Sequence, residues 1–381
     1  MVMARKIKYR VWGVILSGNN SMNLIITRSF PPSIGGMQNL MWGLANAISK
    51  IDLTKVFADY EENHLNIDNQ VSFSIERVGG AKIFRKYRKA YLINEYIKSN
   101  KNIKNIIVDH WKSLELIKTN INKICLIHAK EINHDSGTKL NKRVLNVLNN
   151  VKTIVSNSEF TKNLAIEKGV NPNLITVIHP GVDPIKEIDE KYLKKSKEIL
   201  INKSPRLITV SRFDRRKNHE KVLMAVRNLK QIYPQIIYTC IGYGKEEERL
   251  KKLTRELVLE NQVLFLNNVS EGLKNALISS SDIFVMPSIK YKKSIEGFGI
   301  TFIEAAQHGL PSIGGKDGGA ADAIQHEKTG LICDGSSLED IYSSINKLLE
   351  NKNYKRFGDF AKEASKKFLW SNMIEKYKRI L

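Results

Sequence analysis

Residues 294–306, with the sequence SIEGFGITFIEAA, combine two carboxylates and two glycines where a strand-like segment gives way to a helical one. The apolar run Ile283–Met286 precedes them and is closed by a proline, and an alanine-containing helical pattern follows. Because Gly297 and Gly299 lack side chains, a ligand could approach the backbone and the N–H groups of the helix start. Such a helix end favours an anion by roughly 0.3–1 kcal/mol, so tight phosphate binding needs further cations.

The two carboxylates bracket the glycine loop. Glu296 comes just before it, and Glu304 lies one to two helical turns beyond it. A carboxylate can accept hydrogen bonds from two neighbouring sugar hydroxyls, so each glutamate could hold one sugar ring. A surface loop with solvated glutamates is the alternative that this short motif leaves open.

Two cations in the same half of the chain are suited to phosphate. The apolar segment LITVS is followed by Arg212 and Lys217, which come before the next helical pattern. Guanidinium and ammonium groups are strong hydrogen-bond donors to phosphate oxygens. Gly35 and Gly36, at the start of a helix predicted from about residue 37 to 49, form a second candidate anion site.

His128 follows an apolar strand-like run at 124–127. Open α/β sheets bind ligands at the carboxyl ends of their strands, so this imidazole is a candidate ligand-binding residue. A structural hydrogen bond is the more ordinary role for a lone histidine, and that alternative stays open.

Length and charge limit the possible classes of protein. The chain has 381 residues, 42% of them hydrophobic, which is enough for about two domains with their own cores. Its 61 Lys and Arg residues exceed its 39 Asp and Glu residues, which gives a formal net charge of +22. The electrostatic field of a protein with this charge attracts anionic lipid, nucleic acid or phosphorylated substrates. General enrichment of the surface in lysine and asparagine would also explain the charge.

Cysteine usage and the N-terminal segment indicate a cytoplasmic protein. Cys125, Cys240 and Cys333 are far apart and lie within apolar runs, so we expect reduced core residues. No apolar run approaches the roughly 18–20 residues of a membrane span. The apolar run near the start is too short for a secretory signal, and we interpret residues 1–22 as a basic extension.

Two successive series of strand-like and helix-like segments organise the chain. This alternation predicts mostly parallel sheets covered by helices, in an N-terminal domain at 23–185 and a C-terminal domain at 205–360. A lysine-rich linker at 186–204 would join them, and a helix at 361–381 could pack back on the N-terminal domain. The predicted strands are 23–27, 55–58, 71–75, 106–108, 124–127, 153–155, 175–178, 207–211, 236–241, 263–266, 283–286, 311–313 and 331–333, with a flexible loop at 314–319.

The segment from Lys82 to Lys98, KIFRKYRKAYLINEYIK, predicts a helix with a basic side and an aromatic side. The basic side carries Lys82, Arg85, Lys86 and Lys89, and the aromatic side carries Phe84, Tyr87 and Tyr91. Such a helix can lie on an anionic membrane surface, where each basic side chain contributes about 1 kcal/mol. The alternative is an ordinary solvated helix whose aromatic residues lie in the core.

Several common catalytic signatures do not occur in the sequence. It has no D-x-D, no Cys/His cluster with metal-ligand spacing, no G-x-S-x-G and no G-x-x-x-x-G-K-[ST]. Gly242-x-Gly244 lacks the third glycine and the downstream acidic residue of a dinucleotide fingerprint. We therefore expect neither a metal nor a bound cofactor.

In order along the chain, these segments resemble the retaining GT-B glycosyltransferases of glycosyltransferase family 4. The resemblance covers nearly the whole chain, from FPPSIGG through PGVD, VSRFDRRKN, IGYGKEEERL and SDIFVMPS to EGFGITFIEAAQHGLP and KTGLI. Its most specific element is the pair Glu296 and Glu304, with seven residues between them, in company with Arg212 and Lys217. It implies an α/β protein of two Rossmann-like, doubly wound domains facing a central cleft.

The resemblance also implies roles for the candidate residues. Arg212 and Lys217 would hold the diphosphate of a nucleotide-sugar donor, and Glu304 its ribose. Glu296, with the backbone of Phe298, Gly299 and Ile300, would hold the donor sugar. His128 would orient that sugar, and Gly35 and Gly36 would let the first domain approach the phosphates or the acceptor.

The implied reaction is metal-independent transfer of a hexose from GDP-mannose or a UDP-sugar, with retention of anomeric configuration. The net charge of +22 and the helix at Lys82–Lys98 then predict a lipid-linked saccharide acceptor at the cytoplasmic face of the plasma membrane, in surface polysaccharide or lipopolysaccharide assembly. Transfer onto nucleic acid, a less favoured partner, and non-catalytic binding of sugar nucleotides or polyanions are the alternatives. One departure is Pro180, which stands where family members often carry asparagine before the glycine of G-V-D.

Overall fold

The computed structural model describes residues 21–381, so the basic extension expected at 1–22 lies almost entirely outside the described residues. Within the described range the chain forms a seven-stranded and a six-stranded sheet, and neighbouring strands in both are parallel. Helices connect the strands, as parallel pairing requires. The predicted α/β class is confirmed.

The first sheet reverses its strand order at the centre. Its strands are β1 Met22–Ile26, β2 Leu53–Asp59, β3 Ser74–Val78, β4 Ile103–Val108, β5 Asn122–Ile127, β6 Thr153–Ser156 and β7 Ile175–Val177, in the order β3-β2-β1-β4-β5-β6-β7. The central strands are aliphatic and buried, as in sheets covered on both faces. The reversal between β1 and β4 opens a crevice at their carboxyl ends, where such sheets bind ligands.

The second sheet follows the same plan. Its strands are β8 Arg206–Val210, β9 Ile237–Ile241, β10 Val263–Leu266, β11 Ile283–Met286, β12 Ser312–Gly315 and β13 Gly330–Cys333, in the order β10-β9-β8-β11-β12-β13. The order reverses between β8 and β11. These two strands precede the cation loop and the glycine loop, so the topology brings the two sequence motifs side by side.

Helices cover both sheets. In the first half they are α1 Gly36–Ser49, α2 Leu65–Asp68, α3 Lys82–Ser99, α4 Lys139–Leu148, α5 Glu159–Glu167 and α6 Glu190–Ile199. In the second half they are α7 His219–Leu229, α8 Glu247–Glu256, α9 Glu271–Ser279, α10 Ile300–Gln307, α11 Ala320–Ala323, α12 Leu338–Leu349, α13 Asn353–Ser365 and α14 Trp370–Lys378. Thr138, Ser158 and Ser270 cap α4, α5 and α9 with their side chains, which fixes where these helices begin.

The last helix, α14, packs on α1 in the core of the first sheet. Trp370 lies in a slot between two glycines. A Cβ placed on Gly43 would lie 2.1 Å from Trp370 Nε1, and one on Gly181 would lie 2.4 Å from its Cδ2. The carbonyl of Leu381 accepts a hydrogen bond from Asn105 at 3.0 Å. The C-terminal segment therefore contributes to the first core although it follows the second sheet.

Two local predictions were wrong. β3 occupies Ser74–Val78 rather than 71–75, because Phe73 packs against Trp42 as part of the core instead of entering the strand. Gly314 and Gly315, expected in a flexible loop, end β12. A Cβ on Gly315 would lie 1.9 Å from the carbonyl oxygen of Ser288, so glycine here permits close packing.

The structure also shows where the cysteines lie and how long and polar the helices are. Cys125, Cys240 and Cys333 are buried and form no disulfide, as predicted. Within residues 21–381, every helix is too short or too polar to span a membrane.

Candidate active site

Two helices begin at glycines on opposite sides of the cleft. α1 follows Gly35 and α10 follows Gly299, and neither start has a side-chain cap. Gly299 has a φ of 88°, in the left-handed region that favours glycine. A Cβ placed on Gly36 would lie 4.0 Å from Cδ1 of Ile300, so the two helix starts approach each other closely. Uncapped N–H groups from both domains therefore converge where an anion could bind.

The carboxylate of Glu296 lies between two buried cations. Its Oε2 is 2.5 Å from Nζ of Lys217 and 2.6 Å from Nη1 of Arg216. Burial alone would raise the pKa of Glu296, but the charges of Lys217 and Arg216 outweigh it and lower that pKa to about 2. Asp214 also lies 3.9 Å from Arg216 and 3.8 Å from Arg212. Three cations and two carboxylates therefore form the cluster, and an entering anion would meet a net positive site.

Lys217, but not Arg212, is brought to Glu296. The Arg212 side chain is 69% exposed, and its nearest acidic contact is Asp214 at 3.8 Å. The sequence analysis missed Arg216, whose side chain is 8% exposed. The basic run RRK at 215–217 is only a weak indication of Arg216, because the residue types of the run do not show which cation points into the protein.

The loop that carries these cations is fixed by its own hydrogen bonds. Asp214 caps a short 3₁₀ helix by accepting from the backbone N–H of Lys217 at 3.2 Å. Asn218 follows in the left-handed region, and its side chain donates to the carbonyls of Pro287 and Gly335 at 3.0 and 2.7 Å. The cations are therefore held in place before a ligand arrives, as electrostatic stabilisation requires.

A buried hydrogen-bonded network supports the same loop from the sheet. Ser211 Oγ lies 3.1 Å from Nε2 of His219, and Nδ1 of His219 lies 2.9 Å from the hydroxyl of Tyr238. That hydroxyl lies 2.8 Å from Oγ1 of Thr209. Burial lowers the pKa of His219 to about 3, so its ring is neutral at pH 7. The network joins β8, β9 and α7 beneath the cation loop.

Glu304 lies on α10, apart from the Glu296 cluster. Its Oε2 is 4.0 Å from the ammonium group of Lys274, and a quarter of its side chain is exposed. Burial raises the pKa of the Glu304 carboxyl, and the charge of Lys274 opposes that shift. At this distance Lys274 leaves the carboxylate oxygens able to accept hydrogen bonds from a ligand.

The side chain of Phe298 belongs to the core rather than to the cleft. It is 2% exposed and stacks on His179, with ring centroids 5.4 Å apart. Any contact of Phe298 with a ligand must therefore come from its backbone. The same backbone continues through Gly299 and Ile300 into the start of α10.

The strand end at His128 meets the glycine loop of the other domain. A Cβ on Gly297 would lie 2.6 Å from the carbonyl oxygen of His128. The hydroxyl of Ser158, which caps α5, donates to the carbonyl of Gly297 at 2.6 Å. The two domains are therefore closed against each other at this loop, and glycine at position 297 permits that closure.

The imidazole of His128 lacks the structural hydrogen bond that is the simpler role for a histidine. Its Nε2 is buried and has no hydrogen-bond partner among residues 21–381. Burial lowers the pKa of His128 to about 4, so the ring is neutral at pH 7. The unpaired Nε2 at the end of β5 leaves this side chain able to form a hydrogen bond with a ligand.

These groups together can bind a diphosphate and stabilise the charge that it gains when a sugar leaves it. In the part of the chain that the structure describes, no three His, Cys, Asp or Glu residues are grouped to hold a metal ion. Lys217, Arg216 and two helix starts supply the positive potential. Two doubly wound domains that close on such a cleft define the GT-B fold.

Comparison with protein families gives the same class. The profile described as Glycosyltransferase Family 4 matches residues 34–186, and the profile described as Glycosyl transferases group 1 matches residues 191–366. The chain belongs to glycosyltransferase family 4.

Individual relatives are distant. The GDP-mannose-dependent alpha-(1-6)-phosphatidylinositol monomannoside mannosyltransferase of Mycobacterium tuberculosis is 28% identical over 178 residues, 46% of either chain, so the match spans about half its length. An uncharacterized glycosyltransferase of Haemophilus influenzae is 25% identical over 92% of this chain and 97% of its own. The solved structure of Anabaena Alr3699/HepE in complex with UDP-glucose superposes with a TM-score of 0.79 at 17% identity, over 94% of this chain and 98% of that one.

Proposed function

We propose that the enzyme transfers a hexose from GDP-mannose or a UDP-sugar to a lipid-linked saccharide. The donor half of this proposal rests on the buried Glu296 carboxylate, which Lys217 and Arg216 hold beside the start of α10. Cations suit the diphosphate, and the carboxylate can accept hydrogen bonds from the hydroxyls of the sugar. The M. tuberculosis relative is named for GDP-mannose and the Anabaena structure contains UDP-glucose, so the proposal keeps both donors.

The proposed reaction depends on stabilising the leaving diphosphate. As the bond between sugar and phosphate breaks, negative charge grows on the diphosphate, and Lys217 with the N–H groups at Gly299 and Ile300 stabilises it. Arg212, at the exposed end of the cation loop, adds its charge once the donor is bound. The absence of side chains at Gly35 and Gly36 lets α1 approach the same phosphates.

The remaining candidate residues would position the rest of the donor. Glu304 accepts hydrogen bonds from the ribose hydroxyls. Glu296 and the backbone at Phe298 hold the donor sugar, and the unpaired Nε2 of His128 orients that sugar from the other domain. Since acceptor attack in a retaining enzyme can occur on the face that the diphosphate leaves, none of these residues needs to be a nucleophile.

The acceptor half of the proposal rests on the exposed face of α3. Ile83, Phe84, Tyr87 and Tyr91 are between 58% and 76% exposed and fall at helical spacing. The alternative that these aromatic residues lie in the core is therefore wrong. An exposed apolar stripe of this kind is typical of a helix that contacts a membrane or another partner.

The basic side of α3 differs from the prediction. Lys89 is 7% exposed and forms an ion pair with Asp59, which also pairs with Arg85. Lys86 pairs with Glu115. These cations hold α3 on the first domain, so the proposed membrane contact depends more on the apolar stripe than on charge.

An open cavity at the surface of the first domain offers room for the sugar of an acceptor. It has a volume of about 450 Å³ and is lined by Pro32, Ser33, Tyr60, Glu61, Glu62 and Asn63. Tyr60 packs against Gly79, shortly before α3, and is 46% exposed. Exposed aromatic rings and carboxylates suit a saccharide. A lipid tail on α3 and a sugar in this cavity could belong to one acceptor, which would place the enzyme at the cytoplasmic membrane face in surface polysaccharide assembly.

A transfer assay tests the reaction. The purified enzyme is incubated with labelled GDP-mannose or UDP-sugars and detergent-solubilised lipid-linked saccharides, and the new linkage is analysed by NMR. We expect one donor to give a lipid product with the anomeric configuration of the donor. The alternative is transfer of the sugar onto nucleic acid. It would be supported if the enzyme bound duplex nucleic acid in a salt-sensitive way and transferred the label to nucleic acid rather than to lipid.

Liposome flotation tests the acceptor surface separately. The wild type should float with liposomes that contain anionic lipid, and replacement of Phe84, Tyr87 and Tyr91 by serine should abolish flotation. Phe360→Ser is the matched control, because Phe360 is also exposed, at 46%, but lies on α13. Failure of the wild type to float, or equal loss in the control, would remove the support for a membrane acceptor.

A further inference from the structure

Glu296 has two cationic partners, and both contact the same oxygen. Lys217 and Arg216 each donate to Oε2, which leaves Oε1 without a hydrogen bond from a cation among residues 21–381. A carboxylate that accepts sugar hydroxyls must stay ionised and fixed. Because Glu296 is 12% exposed, it needs a partner for its charge throughout the reaction.

The two cations respond differently to an entering diphosphate. Lys217 ends in a rotatable ammonium group with three donors, and its Nζ also lies 3.3 Å from the sulfur of Met286, a weak acceptor. A phosphate oxygen is a much stronger acceptor than that sulfur, so it can draw Lys217 towards the donor.

Arg216 has contacts of its own besides Glu296. Its guanidinium is planar and always charged, and it donates to Glu296 from a side chain that is 8% exposed. Its backbone carbonyl accepts a hydrogen bond from the N–H of Ile289 at 2.9 Å. Its Nη2 also lies 3.9 Å from Oδ2 of Asp214. These contacts would let Arg216 keep its hydrogen bond to Glu296 while Lys217 turns.

We propose that Arg216 is a positioning residue for the donor sugar, an inference that rests on the proposed donor function. When the diphosphate engages Lys217, Arg216 holds Oε2 of Glu296 and keeps the carboxylate ionised, so Oε1 can accept hydrogen bonds from the sugar. Arg216 does not touch the diphosphate. Without Arg216, the buried carboxylate would lose its remaining cation and turn away or bind a proton.

Calorimetric binding of nucleotides with and without the sugar tests this role. UDP, GDP, UDP-glucose and GDP-mannose are titrated into the wild type, Arg216→Met and Arg216→Lys, and thermal melts show that each variant is folded. In Arg216→Met we expect unchanged affinity for the diphosphate, loss of the affinity that the sugar adds, and a fall in kcat of about 100-fold. Arg216→Lys keeps the positive charge but lacks the planar guanidinium, so it should recover part of the sugar affinity and part of kcat.

Two results would overturn the inference. Equal weakening of nucleotide and nucleotide-sugar binding in Arg216→Met would make Arg216 a phosphate ligand, and no change in either would remove any role in donor binding. If Arg216→Met does not fold, the same comparison in Arg216→Lys decides, since its diphosphate affinity should stay at the wild-type level while its sugar affinity falls. Should the wild type bind none of the four ligands, the proposed donor function itself fails, and this inference fails with it.

Discussion

The ammonium nitrogen of Lys217 and Oε2 of Glu296 lie 2.5 Å apart, although one residue follows β8 and the other follows β11. These strands are neighbours where the order of the second sheet reverses, so the sheet topology brings the cation to the carboxylate. The proposed diphosphate ligand and the proposed sugar ligand are therefore paired before the donor binds. Donor binding and sugar transfer should therefore both depend on this pair.

Replacing Lys217 by methionine should lower kcat far more than a surface substitution does. The change removes a fixed positive charge that stabilises the leaving diphosphate, and loss of one such donor commonly costs roughly 3–4 kcal/mol in the barrier, or 10²–10³ in rate. Steady-state kinetics of the transfer reaction measure the effect. Lys252→Met is the matched control, because Lys252 is 73% exposed on α8, and it should retain wild-type rates. Equal rates in the two variants would contradict the role of Lys217.

Glu296 should make stability depend on acidity in a defined range. Its pKa falls from an ordinary value of 4.5 to about 2, so its contribution is present above pH 4.5 and is lost as the pH falls towards 2. The shift corresponds to about 3 kcal/mol. Glu296→Gln should therefore be less stable than the wild type at pH 7, and the difference should shrink below pH 4.5. Urea denaturation at pH 7, 5, 4 and 3 measures this, and a difference that does not change with pH would contradict the ion-pair account.

Gly36→Ala should weaken donor binding without weakening the fold. A Cβ at this position would lie no closer than 4.0 Å to Ile300, so the protein itself has room for it. The added methyl group would nevertheless occupy space at the start of α1 that the proposed phosphates need. We expect an unchanged Tm and a higher Kd for the nucleotide sugar. If the Kd does not change, α1 does not approach the phosphates.

Trp370 and Gly43 should be energetically coupled. Trp370→Ala removes a large buried side chain and should cost about 3–5 kcal/mol of unfolding free energy. Gly43→Ala should also destabilise, because its Cβ would lie 2.1 Å from Trp370 Nε1. In the double variant this clash is absent, so Gly43→Ala should cost little in the Trp370→Ala background. Additive losses in chemical denaturation would show that Trp370 does not lie in this slot.

Much of the sheet framework could be predicted because its strands are short apolar runs bounded by glycine, proline or charge. β10 and β11 have the predicted bounds, because each is a continuous run of apolar residues; β11 is fully buried, whereas β10 is an edge strand and only partly buried. β3 was placed three residues too early, since Phe73 is apolar but packs beside the strand rather than within it. The local sequence pattern does not show whether a buried aromatic residue lies within a strand or beside it.

The charged residues show where prediction from the sequence reaches its limit. The run at 215–217 does not reveal that Arg216 turns inward, because the contact that selects it comes from Glu296 in the loop that follows β11. Lys89 was expected on an exposed basic face, but it is buried because Asp59, at the end of β2, supplies its partner. Both contacts join residues that are far apart in sequence. The local sequence around each residue therefore does not predict them.

A thermal-shift measurement tests the central claim, that this cleft binds a nucleotide-sugar donor, most directly. GDP, UDP, GDP-mannose and UDP-glucose are compared on the wild type, Arg212→Ala and Lys252→Met, without added metal. At one hundred times its Kd, a ligand should stabilise the wild type by about 2.7 kcal/mol. We predict that one nucleotide and its sugar conjugate raise the Tm of the wild type and of Lys252→Met, and raise that of Arg212→Ala less because one cation of the site is missing. If none of the four ligands raises the wild-type Tm, the donor site assigned here is wrong.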